Sequence, residues 1–140
     1  MRVVLDTNIT ISGLLWRGAP RLVIEAARSE RIEIFSCAEL LEELEDVLQR
    51  PKLALRITQI GKTPAAIIDE YLALVVVIRA DPLASPVCDD PDDDVVLACA
   101  LAAQAAAVVS GDDDLLRLRA FQNIPILTAP DLLARLAQST

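Results

Sequence analysis

Aspartate is concentrated in two places in this chain. Five of the six residues 89–94 are acidic (Asp89, Asp90, Asp92, Asp93, Asp94), and Asp112, Asp113 and Asp114 form a second run. One or two acids at a helix N-terminus are explained by the helix dipole. Runs this dense are not, because exposed like charges repel by a few tenths of a kcal/mol per pair, roughly. Two further acids stand at informative positions. Asp6 ends the apolar run of residues 2–5, and Glu43 lies within the acidic stretch Glu39, Glu42, Glu45.

Carboxylates drawn together must protonate or take cations between them. Oxygen donors without His or Cys select Mg²⁺ or Mn²⁺ over zinc. Such ions polarise a phosphoryl oxygen, lower the pKa of bound water and stabilise in-line displacement. That is nuclease-type chemistry and needs no protein nucleophile. Each acid also has a local explanation. Asp6 can be a turn or helix cap, Glu43 can belong to a solvated helix face, and Asp92–Asp94 and Asp112–Asp114 can serve helix starts. Thr7 and Asn8 are turn residues whose polar groups can equally hold Asp6 or a phosphate.

Other chemistries are excluded by composition. The chain has no His, which removes Ser-His-Asp, Cys-His and most catalytic zinc arrangements. Its four glycines are scattered, so neither a Walker A loop nor a dinucleotide fingerprint can be written. Aromatics at 3% do not build a base-stacking platform. The net charge of -8 arises from 21 acids against 13 bases. Without the eight clustered aspartates the two signs balance, so the excess is local rather than a general property of the surface.

The elements that must position these acids follow from pattern. Residues 2–5 read as a buried strand and 9–16 as a short helix. A helix over 21–29 has Pro20 in its first turn. A strand over 32–35 precedes a helix from Ser36, with Glu39 as capping-box partner, that ends before Pro51. Residues 52–63 read as a connector. A helix over 64–74, a strand over 75–79 and a proline-containing loop over 82–91 come next. A helix from about Asp92 to Ala106, a strand over 107–110, a helix over 112–120, a strand over 124–127 and a helix over 130–138 complete the chain. This alternation predicts a three-layer α/β/α sandwich on a mostly parallel sheet, as one domain over residues 1–140. Ligands of such sheets collect beyond the carboxyl ends of the strands. There Asp6, Glu43, Asp94 and Asp112 are able to converge.

With these segments in order, the chain resembles the PIN domain family, most closely the small VapC-type toxins of toxin–antitoxin systems. Val3-Val-Leu-Asp-Thr-Asn-Ile-Thr-Ile-Ser12 resembles the family's opening strand and Asp-Thr-Asn turn. Residues 36–53, with Glu43-Leu44 and Val47-Leu-Gln-Arg-Pro-Lys-Leu53, resemble its Glu-bearing helix. Asp90–Ala100 and Val108–Leu116 resemble its third and fourth acidic segments. The resemblance implies Asp6, Glu43, Asp94 and Asp112 as catalytic metal ligands. Glu43 is taken over Glu42 because a Leu follows it, and Asp93 competes with Asp94. Thr7, Asn8, Ser110, Asp93 and Asp114 are implied as supporting groups. It further implies an Mg²⁺- or Mn²⁺-dependent ribonuclease, an RNA substrate, a cognate antitoxin and a homodimer.

At 54% hydrophobic residues the chain is not a disordered segment. Cys37, Cys88 and Cys99 are odd in number, lack CxxC spacing and read as thiols of a reducing compartment. The early charge at Asp6 does not suit a signal peptide, and the apolar run 72–78 is too short for a membrane span. The expectation is a cytoplasmic protein with no membrane partner. Arg17 and Arg21, near the Asp6 turn, and Arg117 and Arg119, after Asp112, are the bases available to steer RNA. There is no basic stripe. The scarcity of bases supports an alternative, a non-catalytic module whose acidic pocket takes a basic partner peptide. An aspartyl-phosphate receiver is disfavoured, since no Lys follows Lys62.

Overall fold

A computed structural model describes residues 1–138. The strands are β1 (Arg2–Leu5), β2 (Glu33–Ser36), β3 (Val76–Val77), β4 (Ala107–Val109), β5 (Ala120–Phe121) and β6 (Ile124–Leu127). The helices are α1 (Thr7–Leu15), α2 (Ala19–Arg28), α3 (Ala38–Leu48), α4 (Pro51–Gln59), α5 (Pro64–Leu72), α6 (Pro91–Ala103), α7 (Asp113–Leu116) and α8 (Ala129–Gln138). The six strands form one sheet in the order β3-β2-β1-β4-β6-β5, parallel except for β5.

The pleat divides the interior in two. Val3 and Leu5 point into a core built with α1–α5 and α8, while Val4 points into a second core under α6 and α7. This is the expected three-layer α/β/α sandwich. The chain leaves β1 toward β2 on one side and pairs β4 on the other. A crevice therefore opens at the carboxyl ends of β1 and β4, the switch point where parallel sheets bind ligands.

Three local expectations are corrected. Residues 52–63 contain a helix, because Pro51 occupies a first-turn position and Leu53 and Ile57, four apart, bury one face. The helix expected over 112–120 stops at Leu116, and Ala120–Phe121 turns back to pair with Ile124–Pro125. Gln122 and Asn123 make that turn with φ of 46° and 68°, both positive as a two-residue hairpin of type I′ requires. The usual Gly signal is absent from this turn. Ser36 closes β2 rather than capping α3. Cys37 takes the cap position and makes no side-chain cap bond.

Candidate metal centre

Asp6 is the first residue beyond β1. Its backbone N–H donates to Val109 O of β4 (3.1 Å), which ties it to the switch point. Its carboxylate caps α1 by accepting from the Ile9 N–H at 2.8 Å. The other oxygen accepts a short hydrogen bond from the hydroxyl of Ser110, the residue after β4. Ser110, fully buried, in turn accepts from the Asp112 N–H at 2.9 Å. One hydroxyl therefore fixes Asp6 against the turn that carries Asp112. Asp112 caps α7 by accepting from the Asp114 N–H at 3.0 Å.

Glu43 projects from α3 to the same crevice, where the neighbouring Thr7 side chain lowers its carboxyl pKa against the larger effect of burial. Asn8, Asp92 and Asp93 complete the polar wall of the cleft. Asp93 is 9% exposed, and its Oδ2 is buried with no hydrogen-bond partner. Carboxylate oxygens of Asp93, Asp112 and Asp114 all lie within 4.8 Å of one another. Asp114 also faces Arg117 at 3.6 Å, an exposed ion pair of little energetic weight.

Asp94, expected in the cleft, faces away from it. Its carboxylate accepts from the backbone N–H of Cys88 at 2.8 Å and of Val87 at 3.2 Å. It thereby pins the preceding loop to α6. Asp93 takes its place because it shares the helix face of Val96, Leu97 and Ala100, at offsets of three, four and seven, which packs toward the sheet. That periodicity was the signal available in the sequence. It was masked because α6 is apolar on nearly all sides. Asp92, which was not among the expected site residues, also lines the cleft. Arg21 is not at the Asp6 turn. It donates to Gly13 O (3.0 Å) and Leu14 O (3.4 Å), at the opposite end of α1.

The electrostatics are those of an uncompensated anion cluster. Burial and then the charge of Asp112 push the Asp93 carboxyl up to about 7. Burial raises Asp6, and the nearby Asp112 adds to this against the lowering bonds from Ser110 and Ile9. Glu43 is raised by burial and by Asp92. An orphaned buried oxygen, close oxygen-only donors and raised carboxyl pKa values fit a hard divalent cation.

The architecture and this cleft define an α/β protein with an acidic switch-point site. The sequence profile of the PIN domain matches residues 2–114, and the chain belongs to the PIN domain family. The fold is similar to that of a chain in the crystal structure of VapBC2 from Rickettsia felis bound to a DNA fragment from their promoter. The TM-score is 0.59 at 16% identity, covering 90% of this chain and 97% of that one. No curated protein sequence matches significantly. Among the described residues, no helix is long and apolar enough to cross a membrane.

Proposed function

We propose that this protein is an Mg²⁺- or Mn²⁺-dependent endoribonuclease and the toxin of a toxin–antitoxin pair, acting in the cytoplasm. The observation that carries this reading is the meeting of Asp6, Asp93 and Asp112 at the switch point, with Asp93 Oδ2 buried and unpartnered. Asp6, Asp93 and Asp112 would hold the ion, and Glu43 completes the set. A bound divalent ion supplies Lewis-acid polarisation of the phosphate and a more acidic water. Ser110 holds Asp6 and the Asp112 turn in register, and Thr7 orients Glu43. Asn8 lines the cleft where a phosphate of the RNA would approach, and Asp114 offers a further carboxylate beside Asp93 and Asp112. The VapBC2 likeness supports a cognate antitoxin as partner and the family supports a homodimer.

The test is Asp6→Asn assayed on an RNA oligonucleotide in Mn²⁺. The variant keeps an acceptor for the α1 cap and should stay folded, yet lose metal-stimulated cleavage by 100-fold or more, on the order of what a displaced catalytic group costs. Cleavage equal to the parent sinks the assignment.

The shortage of bases favours a second reading, in which the same pocket binds a basic partner peptide without catalysis. Calorimetric titration with Mn²⁺ separates the two. Saturable heat with the pure protein supports the nuclease, and no heat supports the binding module.

A further inference from the structure

Two stretches of the chain carry bases and no acid: residues 7–24, with Arg17 and Arg21, and residues 47–68, with Arg50, Lys52, Arg56 and Lys62. The fold joins them at the carboxyl end of α1. Arg56 of α4 donates from Nε to Leu15 O at 2.7 Å, and Arg21 of α2 donates to Gly13 O and Leu14 O. Both guanidinium groups meet the negative end of the α1 dipole. Lys52 lies one turn before Arg56 on α4, and the exposed Arg17 follows the end of α1. Among the described residues, none of Arg17, Arg21, Lys52 and Arg56 pairs with a carboxylate. Between them stands Trp16, 41% exposed, with Arg56 Cζ 5.8 Å from its ring centroid.

We propose that this surface holds single-stranded RNA for the cleft, with a base stacked on Trp16 and phosphates on Arg17, Lys52 and Arg56. It rests on the nuclease reading and supplies what the cleft itself lacks. No Lys or Arg lines the acidic cleft, yet affinity for nucleic acid depends heavily on phosphate neutralisation. An exposed aromatic ring among cations grips single strands with little regard to sequence. Leu15 O takes only Nε of Arg56, so its terminal nitrogens remain for phosphate. Helix α1 links the two places, since Asp6 caps its start and Trp16 its end. That separation is about 15 Å at 1.5 Å per residue, so one short strand reaches both. Leu22 and Leu55, exposed next to Arg21 and Arg56 in sequence, make an acidic protein segment the competing ligand. The electronegative face of an indole repels a carboxylate, whereas a nucleobase stacks on it.

Trp16 is the only tryptophan, so its fluorescence reports on this surface directly. The full chain, kept in chelator so that no metal-dependent cleavage intervenes, is titrated with an unstructured RNA dodecamer. Trp16 emission should be quenched saturably, with the dissociation constant that anisotropy of the labelled RNA gives. Trp16→Leu should weaken binding about tenfold. Arg17→Glu and Lys52→Glu, both at exposed positions, should each weaken it about fivefold or more and flatten its dependence on salt. RNA that binds without quenching Trp16, RNA that does not bind, or unchanged affinity in all three variants overturns the proposal. A polyglutamate peptide that quenches Trp16 equally and displaces the RNA also overturns it, and gives the surface to an acidic protein segment. Quenching by RNA with no cleavage in Mn²⁺ removes the nuclease reading and leaves the RNA surface. Cleavage in Mn²⁺ without quenching removes the surface and leaves the nuclease.

Discussion

Asp93 and Asp94 are consecutive, chemically identical and differently placed. Asp93 lies in the anion cluster with an unpartnered oxygen, whereas Asp94 is paired to two backbone amides. Counting back from Leu97-Ala98 points to Asp94 but does not fix helix phase, and the structure turns Asp93 rather than Asp94 to the cleft. Asp94→Ala should therefore cost about 1–3 kcal/mol in chemical denaturation, the range for losing a buried or charge-assisted bond, with Mn²⁺ affinity kept. The pH response follows from Asp93. Its folded-state pKa of about 7 lies above the ordinary Asp value, so between about 4 and 7 the folded metal-free protein holds a proton that the unfolded chain lacks. Through this group, stability with chelator falls as pH rises across that window. Mn²⁺ requires the ionised carboxylate, so its affinity should rise from about pH 6 to pH 8, with proton release on binding. Calorimetry in buffers of different ionisation enthalpy measures that proton. An affinity that is flat with pH contradicts the placement of Asp93.

Most elements were legible, because strand and helix patterns along this chain are punctuated by Pro and capping residues. Two misses fall on elements too short for periodicity to register, β5 with two residues and α7 with four. Helix α4, nine residues long, was hidden because it buries only Leu53 and Ile57. The packing of α1 on α2 carries its own signature. A Cβ at Gly13 would stand 2.7 Å from both Ile24 Cγ1 and the Pro20 carbonyl oxygen. Helix propensity favours Ala over Gly by about 1 kcal/mol, but the backbone oxygen cannot yield cheaply. Gly13→Ala is expected to destabilise by about 1–3 kcal/mol, the usual cost of overpacking, measured as a lower denaturation midpoint with unchanged slope. A stabilised variant would show that the two helices part readily.

At the scale of the molecule, the net charge of -8 resolves into a balanced surface and an acidic cluster partitioned by α6. Part of it gathers at the switch point, while Asp94 turns to the helix's other face and binds the loop amides. A divalent ion that binds only the folded state should raise stability by about 2.7 kcal/mol at a hundred times its dissociation constant. A thermal melt of the parent with and without Mn²⁺ reads this as an upward shift, which Asp6→Asn should largely lose. The sheet order and the location of the crevice follow from the alternation of elements. The side chains that fill the crevice depend on helix phase and on one buried serine, which composition does not reveal.

The most direct measurement compares Mn²⁺-dependent cleavage of one RNA oligonucleotide by the parent, Asp93→Asn and Asp94→Asn under identical conditions. Loss of cleavage in Asp93→Asn, with near-parent cleavage in Asp94→Asn, is the expected result. Activity retained by Asp93→Asn and lost by Asp94→Asn would contradict the metal centre described here.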